Sequence, residues 1–165
     1  MKRFWEPIEI MLLLNVFLAL AWVALTGELN PVNFFFGFGL GYLMLWLLRS
    51  HVGTEQYFVK VPRVLGLLAF FTWEVIVANI RVAISVLSPL KRLRPGIVAI
   101  PLDVKTDAEI TLLANLITLT PGTMSLDISA DRRVLYVHAM HLEDPEQFRR
   151  DTKQGFERRI REVFE

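Results

Sequence analysis

The sequence predicts a membrane protein in two parts. An N-terminal transmembrane helical hairpin, followed by a third long helix that is amphipathic or spanning, leads into a small cytoplasmic α+β domain of order β-α-β-β-α. Three observations predict this. The chain of 165 residues is 53% hydrophobic, and the excess lies in its first part. Charge divides the same way: residues 1–95 carry nine Lys and Arg against five Asp and Glu, while residues 96–165 carry nine against twelve. Beyond residue 95, short alternating runs replace long apolar ones. Such asymmetry is not that of a single water-soluble domain. The predicted division is therefore a membrane part, 1–94, with helices at about 8–25, 32–48 and 64–88, and a domain at 95–165.

The run 8–25, IEIMLLLNVFLALAWVAL, holds Glu9 at its edge and Asn15 inside. The run 32–48, VNFFFGFGLGYLMLWLL, has no charge. Each is near the roughly 17–25 residues that cross a bilayer. No small-residue cleavage site follows Leu25 and a second apolar run begins at once, so the first run reads as a span and not as a signal peptide. The six residues 26–31 between them predict an antiparallel hairpin. Lys2 and Arg3 precede it, Arg49, Lys60 and Arg63 follow it, and its loop holds only Glu28. By the positive-inside rule the N-terminus and segment 49–63 are cytoplasmic. Gly37 and Gly41 form a small-xxx-small pair, a candidate for close helix packing. The other reading is the ordinary tolerance of membrane helices for glycine. No strand precedes these glycines, so they do not form a nucleotide loop.

The third run, 64–87, contains Glu74, Asn79 and Arg81. At 100° per residue, Arg63, Glu74, Arg81, Ser85, Ser88 and Arg92 fall within roughly a 60° sector of a helix. Two readings fit: a third span whose polar stripe faces protein, or an amphipathic helix in the plane of the interface. The cluster Lys91-Arg92-Leu93-Arg94 favours the second, because a simple third span would carry it outside. Ionisable groups at membrane depth are candidate ion-handling residues, which makes Glu74, Asn79 and Arg81 the candidate polar site. The competing reading is structural, with the charges facing protein or headgroups.

In the C-terminal part, 97–102 has strand length, and Thr106 with Glu109 forms a capping-box signature that opens a helix at about 107–118. Thr-Pro-Gly-Thr at 120–123 ends it. Residues 124–129 and 133–140 alternate as a hairpin around Ala130-Asp131. Asp144-Pro145 opens a last helix with a stripe of Phe148, Thr152, Phe156, Ile160 and Val163/Phe164. Its arginines alternate with acidic residues as a solvated or partner-facing surface. His138 and His141, three apart in a strand, lie on opposite faces and do not suit a metal. Ser125 and Asp127 share a strand face near His138, but no nucleophile elbow accompanies them. With no cysteine, a disulfide scaffold, thiolate catalysis and zinc-thiolate sites are excluded. The sequence calls for no catalytic, cofactor or metal site, and its net charge of +1 gives no reason to expect nucleic acid.

The stretch 110–123, ITLLANLITLTPGT, resembles the signature of the E subunits of the Mrp-type multisubunit cation/proton antiporters, also called Mnh or Pha. Residues 124–129, Asp131-Arg132, Leu135-Tyr136-Val137-His138 and Glu143-Asp144-Pro145-Glu146 extend the likeness, as do length and the apolar N-terminal part. The resemblance covers the whole chain in architecture and about 40 residues in motif. The family's third helix is often drawn as spanning, which the charge argument above does not favour. The resemblance implies an accessory subunit of a complex that exchanges Na⁺ or K⁺ for H⁺ across the cell membrane, with the other subunits and the bilayer as partners. Asn115, Thr118, Thr120, Pro121, Gly122 and Thr123 carry the motif. Their hydroxyls can satisfy a helix end at a tight turn, and docking to another subunit is the alternative. Two other functions compete: direct ion coupling through Glu74, and an independent membrane-tethered binding module.

Overall fold

The structure, a computed structural model, describes residues 6–48, 55–87 and 94–164. Lys2, Arg3, Arg49, Ser88, Lys91 and Arg92, used above for orientation and for the polar sector, lie outside the described residues. The chain forms two compact units, Met1–Pro62 and Arg63–Glu165. The division falls within the third helix and not after residue 94.

The first unit is built on α1 (Glu6–Thr26) and α2 (Pro31–Leu47). Met11, Asn15, Ala19 and Val23 are its buried positions on α1. Gly37, Gly41 and Leu45 are buried on α2. Both sets step by four residues, so each is one face of its helix. The loop is closed by side chains. Asn30 caps α2 by accepting from the Asn33 amide at 2.7 Å, and Pro31 sits at the first helical position, where its missing N–H costs nothing. The Trp22 indole donates to Asn33 Oδ1 at 2.9 Å, and Asn33 Nδ2 donates to Thr26 Oγ1 and the Glu28 carbonyl.

Helix α3 spans Glu55–Leu87, nine residues ahead of the predicted start, and passes through Pro62. Pro62 has no N–H for the carbonyl of Phe58 and ordinarily marks a boundary. Tertiary contacts override it: Tyr57 and Phe58 are buried with Met11 and Leu45. The Tyr57 and Phe58 rings also pack against Tyr42 at 5.8 and 5.2 Å. By length and composition, α1 and α3 suffice to cross a membrane, while α2 is a shorter apolar helix of 17 residues.

The second unit contains Arg63–Leu87 of α3, then β1 (Gly96–Pro101), α4 (Asp107–Leu119), β2 (Thr123–Ile128), β3 (Val134–Ala139), α5 (Pro145–Thr152) and α6 (Arg158–Phe164). The sheet is antiparallel in order β1-β3-β2. Val98, Ile100, Leu135 and Val137 point to one face and join Ile110, Leu113, Ile117, Ile160 and Leu67 in the core. Between α5 and α6 lies a π-helical turn, Lys153–Glu157. The stripe explains it. Its members recur every four residues from Phe148 to Ile160, and a regular helix of 3.6 residues per turn would drift off that face. One wider turn keeps Phe156 and Ile160 on the core. A bulge between Ser125 and Asp127 corrects another expectation. Ser125 pairs with buried Val137 and donates to the Ala114 carbonyl, whereas Asp127 pairs with exposed Tyr136. The extra residue, Leu126, puts Ser125 and Asp127 on opposite faces.

Candidate functional site

The polar stripe of α3 meets the α+β elements in a cleft of about 530 Å³. Phe70, Glu74 and Arg81 line it from α3, Thr120 and Thr123 from the connection between α4 and β2, and Asp151, Arg158 and Arg159 from the C-terminal helices. Glu74 and Arg81 are two turns apart on one face, as their spacing requires. The first is half-buried, the second exposed.

Most of the charge is already engaged. The Arg159 guanidinium lies 3.9 Å from the centroid of Phe70 and donates to the Gly155 carbonyl at 2.9 Å. Phe70 in turn meets Phe156 edge to face at 5.2 Å. Gly155 makes room for Phe70, since a Cβ there would stand 3.0 Å from the ring. Arg158 pairs with Glu162 at 3.7 Å, and Asp151 accepts from Gln147 at 2.6 Å. The side chains of Glu74 and Arg81 differ from these, with no hydrogen bond or ion pair among the described residues.

Asn79 does not join the cleft. It is exposed, and its amide donates to the Val75 carbonyl at 2.8 Å. Gly37 and Gly41 face α1: a Cβ on Gly37 would lie 2.9 Å from Trp22 Cβ and Cγ, and one on Gly41 would collide with Asn15 Oδ1. Asn15, fully buried, donates through Nδ2 to the Tyr57 hydroxyl at 3.2 Å.

The motif residues hold the α4–β2 connection. Thr120 donates to the Leu116 carbonyl at 2.8 Å, and Thr123 donates to those of Ile117 and Thr120 at 2.6 and 2.9 Å. Thr118 Oγ1 accepts from the Ser125 amide at 3.1 Å. Gly122 follows Pro121 with φ +90, a conformation that glycine adopts at little cost. The hydroxyls thus take the carbonyls that a helix end leaves open. Asn115 is exposed on α4. The arginines of α6 read from sequence as a solvated or partner-facing surface, and the signal that could have placed Arg158 and Arg159 at a site is their position flanking the buried stripe. At the other end of α4, Thr106 and Glu109 form the expected capping box. Burial pushes the Glu109 carboxyl up, but the Thr106 and Lys105 amides and the Thr106 hydroxyl outweigh it, and it titrates below the usual value. Among the described residues, no group of three or more His, Asp or Glu is placed to hold a metal ion.

Apolar helices long enough to cross a membrane, together with a small three-stranded antiparallel sheet and its charged cleft, are the features of a membrane protein. The comparisons with known proteins agree. The MNHE family model, described as Na+/H+ ion antiporter subunit, matches residues 15–163. The Na(+)/H(+) antiporter E subunit of Bacillus subtilis is 43% identical over 92% of this chain and 96% of its own length. That of Alkalihalophilus pseudofirmus is 41% identical over the same shares. Among solved structures, a chain of the membrane-bound sulfane sulfur reductase, an archaeal respiratory membrane complex, is similar with TM-score 0.55 and 26% identity, over 93% of this chain and 98% of that one. A chain of the Mrp complex from a Dietzia species is 27% identical over 60% of this chain and 94% of its own, with TM-score 0.47. The chain belongs to the family of Na⁺/H⁺ antiporter E subunits.

Proposed function

We propose that this chain is an accessory subunit of a multisubunit antiporter exchanging Na⁺ or K⁺ for H⁺. It assembles with the other subunits of a Mrp-type complex and stabilises them without carrying the ions. In this reading α1 and α2 cross the cell membrane, with the N-terminus and the α+β domain on the cytoplasmic side. One observation supports it above the others. Between Ile10 and Leu47 the only ionisable side chain with a formal charge is the loop residue Glu28, so the hairpin offers no charged relay. Glu74 and Arg81 instead line a cleft of the second unit. Gly37, Gly41 and Asn15 serve helix packing, and the Thr-Pro-Gly-Thr turn serves the domain's own fold.

The test is Glu74→Gln in the assembled complex. Antiport at the wild-type rate supports the accessory role. Loss of antiport with all subunits still co-purifying supports the competing reading, in which the unpaired Glu74 couples ions directly. A complex that assembles and transports normally without this chain overturns the accessory role.

A further inference from the structure

The second unit shows which side of α3 is covered. Arg63 donates to the Glu162 carbonyl at 2.6 Å, Leu67 enters the core, Phe70 packs on Phe156, and Ser85 meets His141 at 3.2 Å. From Arg63 to Ser85 the helix runs about 33 Å at 1.5 Å per residue. Over that length its three charged residues, Arg63, Glu74 and Arg81, all turn toward the α+β elements.

The opposite side is uncharged and mostly apolar. Leu65, Leu68, Trp73, Ile76, Ile80 and Leu87 are between 49 and 88% exposed. Two polar residues share this side, and both satisfy themselves: Thr72 donates to the Leu68 carbonyl and Asn79 to that of Val75, each at 2.8 Å. Such groups make little demand on water. An 18-residue window within residues 57–87 has a mean hydropathy of 1.8, and leaving this side in water is costly.

We propose that α3, from Arg63 to Leu87, lies in the plane of the lipid interface and does not cross the bilayer. Its outer side is seated on the acyl boundary, and the α+β domain is on the water side. The geometry excludes crossing. A spanning α3 would draw the sheet and the charged helices packed along it into hydrocarbon, where unpaired ionic groups are not tolerated. A lipid surface suits the outer side better than a protein partner does, because that side is long, uncharged and self-satisfied, and because Trp73 stands on it where indole rings prefer the interface. This inference holds whether or not Glu74 carries ions.

The chain has no native cysteine, so single cysteines report depth cleanly. Leu65→Cys, Ile76→Cys and Leu87→Cys are spin-labelled in the complete complex, reconstituted in vesicles of phosphatidylethanolamine and phosphatidylglycerol. Collision with oxygen and with a nickel chelate gives the depth of each label. The expected result is one shared depth, about 5–10 Å below the headgroups, with Glu74→Cys reached by the chelate. A crossing helix would separate the first two labels by about 16 Å, which would overturn the proposal. Labels open to the chelate, or closed to both reagents as under a protein partner, would overturn it equally. Leu65, Ile76 and Leu87 are exposed, so labelling there does not put folding at risk, and co-purification of the other subunits checks all four variants.

Discussion

The two units use the same residue types in opposite ways. In the first, large apolar side chains such as Leu13 and Phe35 are exposed, at 67 and 71%, and the buried line mixes small and polar residues, Asn15, Ala19, Gly37 and Gly41, with Met11, Val23 and Leu45. In the α+β elements of the second, a core of large side chains is inside, with Leu113, Ile160, Ile100 and Val137 at 0%. Where lipid is as apolar as leucine, exposing leucine costs nothing, and helices associate through close approach and hydrogen bonds. Where water surrounds the fold, removal of apolar area from it dominates. Burial of a hydrophobe therefore weighs more in the second unit than in the first.

That contrast can be broken by experiment. The largest effect is expected from Leu113→Ala, which leaves a cavity in a fully buried site and should cost about 2–5 kcal/mol in thermal or denaturant unfolding of the second unit. Its counterpart Leu13→Ala, on the exposed side of α1, should leave the stability of the chain in detergent within about 0.5 kcal/mol. Equal losses for the two would end the distinction.

Next is the close approach in the hairpin. Gly37→Ala drives a methyl into Trp22 Cβ, which the backbone fixes, and should cost about 1–3 kcal/mol, read as reduced recovery of the chain with its complex. Gly39→Ala meets nothing within 4 Å and should be silent. A similar size, about 1–3 kcal/mol, is expected for Glu157→Ala. Its Oε1 accepts from the Asp103 and Val104 amides at 2.5 and 3.0 Å in a site only 1% exposed. Melting temperature reads it.

The smallest effect is acid sensitivity confined to the second unit. Glu109 and Asp131 both titrate below their usual values. For Asp131 the main cause is the hydrogen bond from Ser129, joined by that from the Arg133 amide. A depressed carboxyl stabilises the fold while ionised, so its contribution is complete at neutral pH. It is lost as pH falls through the folded-state pKa, below the ordinary glutamate value of 4.5. Glu109→Gln should lower the melting temperature at pH 7, by about 1 kcal/mol of stability, and flatten the loss on acidification. An unchanged slope would remove Glu109 from the account.

Local patterns were enough for much of the fold. Apolar runs located α1 and α2, the alternation at 124–140 located the hairpin of β2 and β3, and Thr106 with Glu109 located the start of α4 within a residue. Each is a short-range signal: a period, a cap, a turn. The carbonyl partners of Thr120 and Thr123 lie within six residues along the chain, which is why that motif could be read as a turn. The places that resisted reading depend on distant residues. The third helix was read from residue 64, and Tyr57 packed beside Met11 and Leu45 carries it back through Pro62 to Glu55. The bulge at Leu126 separated Ser125 from Asp127, which strict alternation had placed together. The cleft joins Glu74 to Thr120 and Arg159, and nothing in local spacing brings those three together.

By itself, then, the sequence determined the family, the apolar helices, the three-stranded sheet and the polar stripe of α3, because each is written in local periodicity or in an ordered motif. Only the tertiary structure decided what the stripe faces. A helix pattern fixes which side chains share a side but not what covers it. That choice was made by contacts across long separations, from Arg63 to Glu162, Phe70 to Phe156 and Ser85 to His141.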